Sequence, residues 1–320
     1  MDVRAPVGQR LSLGVDIGGT KAHGVVLDET DRVLAEVALP TEPREAGIRR
    51  TALVVAGALA AELGIALDDF ATVGIGIPGF VDHTSGVVET AVNLQISRTD
   101  LPALLANDFA AKVRVENDVK ATALGAGPAL GLTKDLAYVN LGTGLAAAAV
   151  TRGRLVRGAR NGAGELGHLA VDPARELCSC GQRGCLETVL GGSHVTARLA
   201  GLGLDLARLD SDPRPSAAAE ADRMVAALAT VLTMVVIAYD SAVIALGGGI
   251  LRGAAWLRPR AEAELRLRAE TSPFLAGQAI ADRLVELPPE LPVAAIGAAV
   301  VGRKKELRSR HTAGPALVGG

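Results

Sequence analysis

The chain has 320 residues, with 33 basic and 35 acidic side chains and a net charge of −2. That balance leaves no broad cationic surface, so no nucleic-acid partner is expected. Residues 1–16 hold no apolar block of signal-peptide length, which places the chain in the cytoplasm without a membrane anchor. Apolar residues make up 49% and aromatics only 2%, so the core is one of helices and β-branched strands, and the length favours two domains.

In chain order, Leu11 to Ile17 reads as a strand, followed by the turn Gly18-Gly19-Thr20-Lys21, an apolar Gly24 to Leu27 and a polar turn at Asp28 to Asp31. Thr51 to Leu63 predicts a helix, and Thr72 to Ile77 a strand ending at Pro78-Gly79. Val113 to Glu116 is a further strand that ends at Asn117-Asp118, with a helix over Val119 to Gly125. A second copy of the opening pattern then appears. Leu136 to Asn140 leads into Gly142-Thr143-Gly144, an apolar Ala146 to Val150, and a turn at Thr151 to Gly153. Asp16 aligns with Asn140, 124 residues later, which points to a duplicated α/β fold with a cleft between its halves. Residues 201–217 read as a surface loop. Met224 to Tyr239 reads as a buried helix rather than a membrane span, and Val243 to Leu246 as a strand entering Gly247-Gly248-Gly249. A helix over about 293–307 and a frayed tail over 303–320 close the chain.

Three features carry chemistry. Gly- and Thr-rich turns after strands let backbone N–H groups approach a phosphate, although each alone also suits a plain hairpin. His168, Cys178, Cys180 and Cys185 form a compact set of one imidazole and three thiols. They suit a closed, tetrahedral, structural zinc site; three reduced surface cysteines and an unrelated histidine are the alternative. Asp118, at a strand-to-helix junction, has a carboxylate that could take a proton from an attacking hydroxyl, or could serve only as a helix N-cap.

Taken together, Asp16 to Lys21, Gly74 to Gly79, Glu116 to Asp118, Gly142 to Gly144, Glu165 to His168 and Cys178 to Glu187 resemble ROK proteins, which are sugar kinases and related repressors. The resemblance runs over roughly residues 11–300. It implies an α/β, duplicated actin-like ATPase (ribonuclease H-like) fold of two domains. Residues 1–118 with about 291–320 would form a small lobe closed by the C-terminal helix, and 119–290 a large lobe holding the zinc cluster. It also implies transfer of the ATP γ-phosphoryl group to a hexose hydroxyl, the 6-hydroxyl of glucose first, with Asp118 as base. Gly79, Asn93, Asn117, Glu165, His168 and Glu187 would hold the sugar. Asp16 would hold Mg²⁺ through water. Gly18, Gly19, Thr20 and Lys21 would lie near the phosphates, with Gly142, Thr143 and Gly144 on the other wall and Gly247 and Gly248 beside the nucleotide. His168, Cys178, Cys180 and Cys185 would bind Zn²⁺, and the assembly would be a homodimer.

Two places depart from the family pattern. Leu145-Ala146-Ala147-Ala148-Ala149 stands where further glycines are usual, so each methyl narrows the phosphate space. Leu94-Gln95-Ile96 beside Asn93 is also unusual, which keeps an aminohexose or N-acetylmannosamine kinase beside glucokinase. A catalytically weak sugar sensor is a further alternative. A repressor is disfavoured by the fifteen residues before Asp16, too few for a helix-turn-helix.

Overall fold

The structure is a computed structural model that describes residues 10–132 and 135–303. The expected tail, and the end of the last helix beyond 303, lie outside those residues. Elements in chain order are β1 (Leu11–Ile17), β2 (Lys21–Leu27), β3 (Val33–Pro40), α1 (Arg44–Leu63), β4 (Phe70–Ile77), β5 (Phe80–Val81), β6 (Val87–Ala91), β7 (Ile96–Asp100), α2 (Leu101–Leu104), β8 (Val113–Asn117) and α3 (Asp118–Leu130). Then follow β9 (Leu136–Leu141), β10 (Leu145–Thr151), β11 (Arg154–Leu155), α4 (Glu187–Leu190), α5 (Gly192–Leu202), α6 (Pro215–Tyr239), β12 (Val243–Gly247), α7 (Gly249–Gly253), α8 (Leu257–Glu270), α9 (Pro273–Gln278), β13 (Leu284–Glu286) and α10 (Val293–Arg303).

Two five-stranded sheets share one plan, in the orders β3-β2-β1-β4-β8 and β11-β10-β9-β12-β13. In each, the first three strands are antiparallel and the rest run parallel. Register makes the duplication concrete. Asp16 lies opposite His23 and beside Gly76, while Asn140 lies opposite Ala146 and beside Gly247. A small antiparallel sheet, β5-β6-β7, is inserted after β4.

The central strands are mostly apolar because helices cover the sheets. Val15, Ile17, Val73, Ile75 and Ile77 share a core with Ile48, Val55 and Leu59 of α1. On the other side α10 rests against β1 and β4, as Gly14 and Gly74 are adjacent and lack side chains. A Cβ at Gly14 would sit 2.1 Å from Ala295 O, and one at Gly74 would sit 1.8 Å from Ala298 O. Backbone meets backbone there.

Several elements differ from the sequence reading. Helix α1 begins at Arg44, seven residues before Thr51, because Arg44–Arg50 has weak apolar periodicity yet still buries Gly47 and Ile48. Segment 201–217 is not simply a surface loop: Leu209 is 1% exposed and packs in the second core, while α6 starts at Pro215. Helix α6 is long and apolar enough to cross a membrane, but Met224, Leu228, Val231, Leu232 and Val235 are buried in that core. Strand β10 takes up the Leu145–Ala149 run, with Leu145 turned into the core.

Candidate active site

The site assembles where β8 passes into α3. Asn117, and not Asp118, caps the helix: its Oδ1 accepts from Lys120 N at 3.1 Å. Its Nδ2 donates to Gly79 O at 3.1 Å and to Asp118 Oδ1 at 3.0 Å. Gly79 has φ +103 and a Cβ there would fall 2.0 Å from Thr90 O, so glycine alone fits the bend that presents this carbonyl. Asp118 Oδ1 also accepts from Val119 N at 2.9 Å. Burial pushes the Asp118 carboxyl above its ordinary value, and the charge of Glu165 adds to the rise against these hydrogen bonds.

One cavity of about 1290 Å³ is lined by Gly79, Asn93, Asn117, Asp118, Glu165 and Glu187 together with Gly142, Thr143, Gly144 and Gly248. Carboxylates and a glycine-rich turn therefore open into one space. Glu187 opens α4, and its Oε2 accepts from Leu145 N at 3.1 Å, which ties it to the end of the second turn. Its Oε1 is 3.9 Å from Cys178 Sγ.

A smaller cavity of about 200 Å³ is lined by Asp16, His23, Gly247 and Gly248, and shares Tyr138, Gly248 and Arg252 with the first. Asp16 Oδ1 is sealed from solvent without a hydrogen-bond partner. Burial, and then the charge of Asp118, push its carboxyl up to about 8. An orphaned buried carboxylate oxygen suits a hydrated cation. Gly18, Gly19, Thr20 and Lys21 line neither cavity; Lys21 and Thr20 are exposed, and Gly19 faces the Asn93 side chain.

His168 also lines neither cavity. It belongs to the cysteine set: the ligand atoms of His168, Cys178, Cys180 and Cys185 all lie within 4.8 Å of one another. His168 Nδ1 is 3.9 Å from Cys178 Sγ, and Cys180 Sγ is 3.7 Å from Cys185 Sγ. Zn–S bonds of about 2.3 Å in a tetrahedron require S···S edges of roughly 3.8 Å, which this pair meets. Gly181 and Gly184, at φ +88 and +87, make the turns that gather the thiols. A backbone hydrogen bond from Gln182 holds the Cys180 thiol down to about 7, whereas burial pushes Cys185 up to about 12.

The sequence reading missed the other support of the second turn. Gly192 N donates to Gly142 O at 2.8 Å, and Ser193 N and Oγ both donate to Thr143 O at 3.1 Å. Ser193, Thr196 and Ala197 of α5 line the large cavity, as do Leu206, Ile250 and Arg252. Gly191-Gly192-Ser193 opening a helix was the available signal.

The ROK family description matches residues 12–283. The chain belongs to the ROK family. It is 32% identical over 198 residues to a glucokinase of Halalkalibacterium halodurans, covering 60% of this chain and 59% of that protein. A xylose repressor of Caldicellulosiruptor bescii is 38% identical over 117 residues, 36% of this chain and 29% of that one. The chain thus spans less than two thirds of the length of the curated relatives it matches. Among solved structures, a ROK hexokinase from Thermus thermophilus superposes with a TM-score of 0.75 at 26% identity, covering 91% of this chain and 97% of that one. A ROK glucokinase from Streptomyces griseus in complex with glucose and AMPPNP gives 0.71 at 25% identity, over 92% and 99%. The ROK fold is therefore the actin-like ATPase architecture that the twin sheets display.

Proposed function

We propose that this ROK protein is an ATP-dependent sugar kinase that transfers the γ-phosphoryl group to a hexose hydroxyl, the 6-hydroxyl of glucose first. The observation that carries the reading is the shared cavity: Asp118 opens into the same space as Gly142, Thr143, Gly144 and Gly248. Asp118 Oδ1 is engaged by Asn117 and Val119, so Oδ2 is the oxygen to take the hydroxyl proton. Asn93, Asn117, Glu165 and Glu187 hold the sugar, and the backbone amides of the second turn meet the phosphates. Asp16 would hold Mg²⁺ through water, and the cation would supply positive charge beside the transferred group. Residues up to 118 and the C-terminal helix act as one lobe, and 119–290 as the other, with α3 beginning at their junction.

The four-residue set would bind structural Zn²⁺, with Nδ1 of His168 as the nitrogen facing the thiols. Purified protein is expected to carry about one zinc per chain by this reading; metal-free protein with full sugar affinity would refute it. Subunits pair as a homodimer in this proposal, which light scattering checks.

The deciding experiment follows ATP consumption with a panel of hexoses and hexosamines. Turnover on glucose supports glucokinase chemistry, and preference for N-acetylmannosamine or another aminohexose moves the substrate. Sugar binding without turnover favours a sensor, the reading that the repressor among the relatives supports.

A further inference from the structure

Lys120 is a charged side chain at the site that the proposed chemistry leaves unused. It lies two residues past Asp118 on α3, is only 3% exposed, and lines the large cavity. Its Nζ donates to Asn161 O at 2.6 Å. Asn161 is itself 4% exposed, adopts φ +59, and donates through Nδ2 to Val81 O of β5. A continuous strap therefore runs from the helix of Asp118, through the 157–165 segment, to the inserted sheet.

The strap has a second buried anchor. Glu116, fully buried, pairs with Arg157 through Oε2 at 2.6 Å, while its Oε1 accepts from Asn117 N at 3.1 Å. Both ends of the 157–161 stretch are thus fastened to residues flanking Asp118, and Glu165 follows four residues later. A lysine buried at this cost to its charge is retained where a specific partner uses it. Burial, and then the charge of Arg157, disfavour the ammonium, while Glu116, Glu165 and Asp118 favour it. Its hydrogen bond goes to a backbone carbonyl, so the bond reads chain position rather than side-chain identity.

We infer that Lys120 is a positioning residue that fixes the 157–165 segment, and so sets where Glu165 meets the sugar relative to Asp118. The inference rests on the kinase reading only for its kinetic readout. If the strap acts this way, its loss weakens sugar binding and leaves the nucleotide wall intact, because the Gly142–Gly144 turn is braced separately by Gly192 and Ser193.

The test compares the parent chain with Lys120→Met and Asn161→Gly. The first variant removes the ammonium. The second keeps the carbonyl that Lys120 uses and the left-handed backbone, and cuts only the link to Val81. Both are expected to raise the sugar KM about tenfold or more while the MgATP KM changes less than about twofold. Calorimetric titration with sugar alone should show the same loss of affinity. Should Lys120→Met fail to fold, Lys120→Gln, which shortens and discharges the side chain, takes its place, since Asn161→Gly tests only the far end of the strap. An unchanged sugar KM and affinity, or an equal rise in both KM values, overturns the inference. A parent chain that binds sugar but turns over none refutes the kinase reading alone, and titration then still judges the strap. A parent that binds no sugar sinks both.

Discussion

The two sheets invite a position-by-position comparison. In the first, Gly14 lies beside Gly74, two residues before Asp16; in the second, Tyr138 lies beside Ala245, two residues before Asn140. The glycine pair lets the α10 backbone settle directly on the sheet. The tyrosine instead fills that space with a ring that packs in a core with Val119 and Ala123 of α3 and donates its hydroxyl to Asn140 Oδ1 at 3.1 Å. At the strand ends, a carboxylate with an orphaned oxygen in the first sheet corresponds to an amide held by Tyr138 in the second. Duplication supplies the position, and one side chain changes the chemistry: an acceptor that, in the proposed function, would hold a hydrated cation, against an amide that carries no charge.

The sharpest way to break this division of labour is at the helix between the sheets. Asp118→Asn should keep the fold, since Asn retains an oxygen for Val119 N, and should lower turnover about 10³-fold. In the parent chain kcat/KM should fall as pH drops through the Asp118 pKa. Because burial first, and the charge of Glu165 with it, raise that pKa, the acid limb lies above the ordinary carboxylate range. A variant within tenfold of the parent would remove Asp118 from the chemistry.

Next in size is Asp16→Asn, which copies the second turn's side-chain type into the first. Turnover with MgATP should fall about 10²-fold as the cation loses its anchor. Stability should move the other way. The folded pKa of about 8 exceeds 3.8, so the parent carries no penalty at acid pH, and the penalty of ionising a buried carboxyl grows as pH rises toward 8. In metal-free buffer the variant should nearly match the parent at pH 4 and exceed it by several kcal/mol, on the order of 5, at pH 8. Denaturant melts at the two pH values check this; a variant no more stable at pH 8 would show that Asp16 is solvated.

Much of this comparison was legible in the sequence because glycine, threonine and cysteine spacing is local. Both turns and the strand entering Asn117-Asp118 lie where the sequence reading put them, and His168 and the three cysteines do come together, although the first turn lines neither cavity. What was hidden is what distant segments do to them. Nothing near Gly142 signals that Gly192 donates to it. Asn117 rather than Asp118 became the cap because its Oδ1 reaches Lys120 N, a choice made by side-chain direction. The Leu145–Ala149 run read as crowding at the phosphates. In the structure Leu145, Ala146 and Ala147 line the cavity, Leu145 being only 2% exposed, while Ala148 and Ala149 do not.

A smaller effect tests packing on the first sheet alone. Gly74→Ala should cost about 3 kcal/mol, because its methyl would meet the Ala298 carbonyl at 1.8 Å and neither backbone can retreat without moving the helix. Alanine is already native at the matching position of the second sheet, Ala245, so the penalty belongs to the α10 contact and not to the strand. A loss below about 0.5 kcal/mol in chemical denaturation would mean that α10 does not hold that distance.

The smallest effect has the opposite sign. Gly57 lies inside α1, and a Cβ there would meet nothing within 4 Å. Here the glycine brings no close approach, only the backbone freedom that the unfolded chain loses on forming the helix. Gly57→Ala should therefore stabilise the protein by about 0.5–1 kcal/mol without altering turnover. The same substitution that wedges α10 away at Gly74 should thus tighten α1 at Gly57. Paired melts of the two variants separate space from backbone entropy, and destabilisation by Gly57→Ala would show that α1 packs against something at that face.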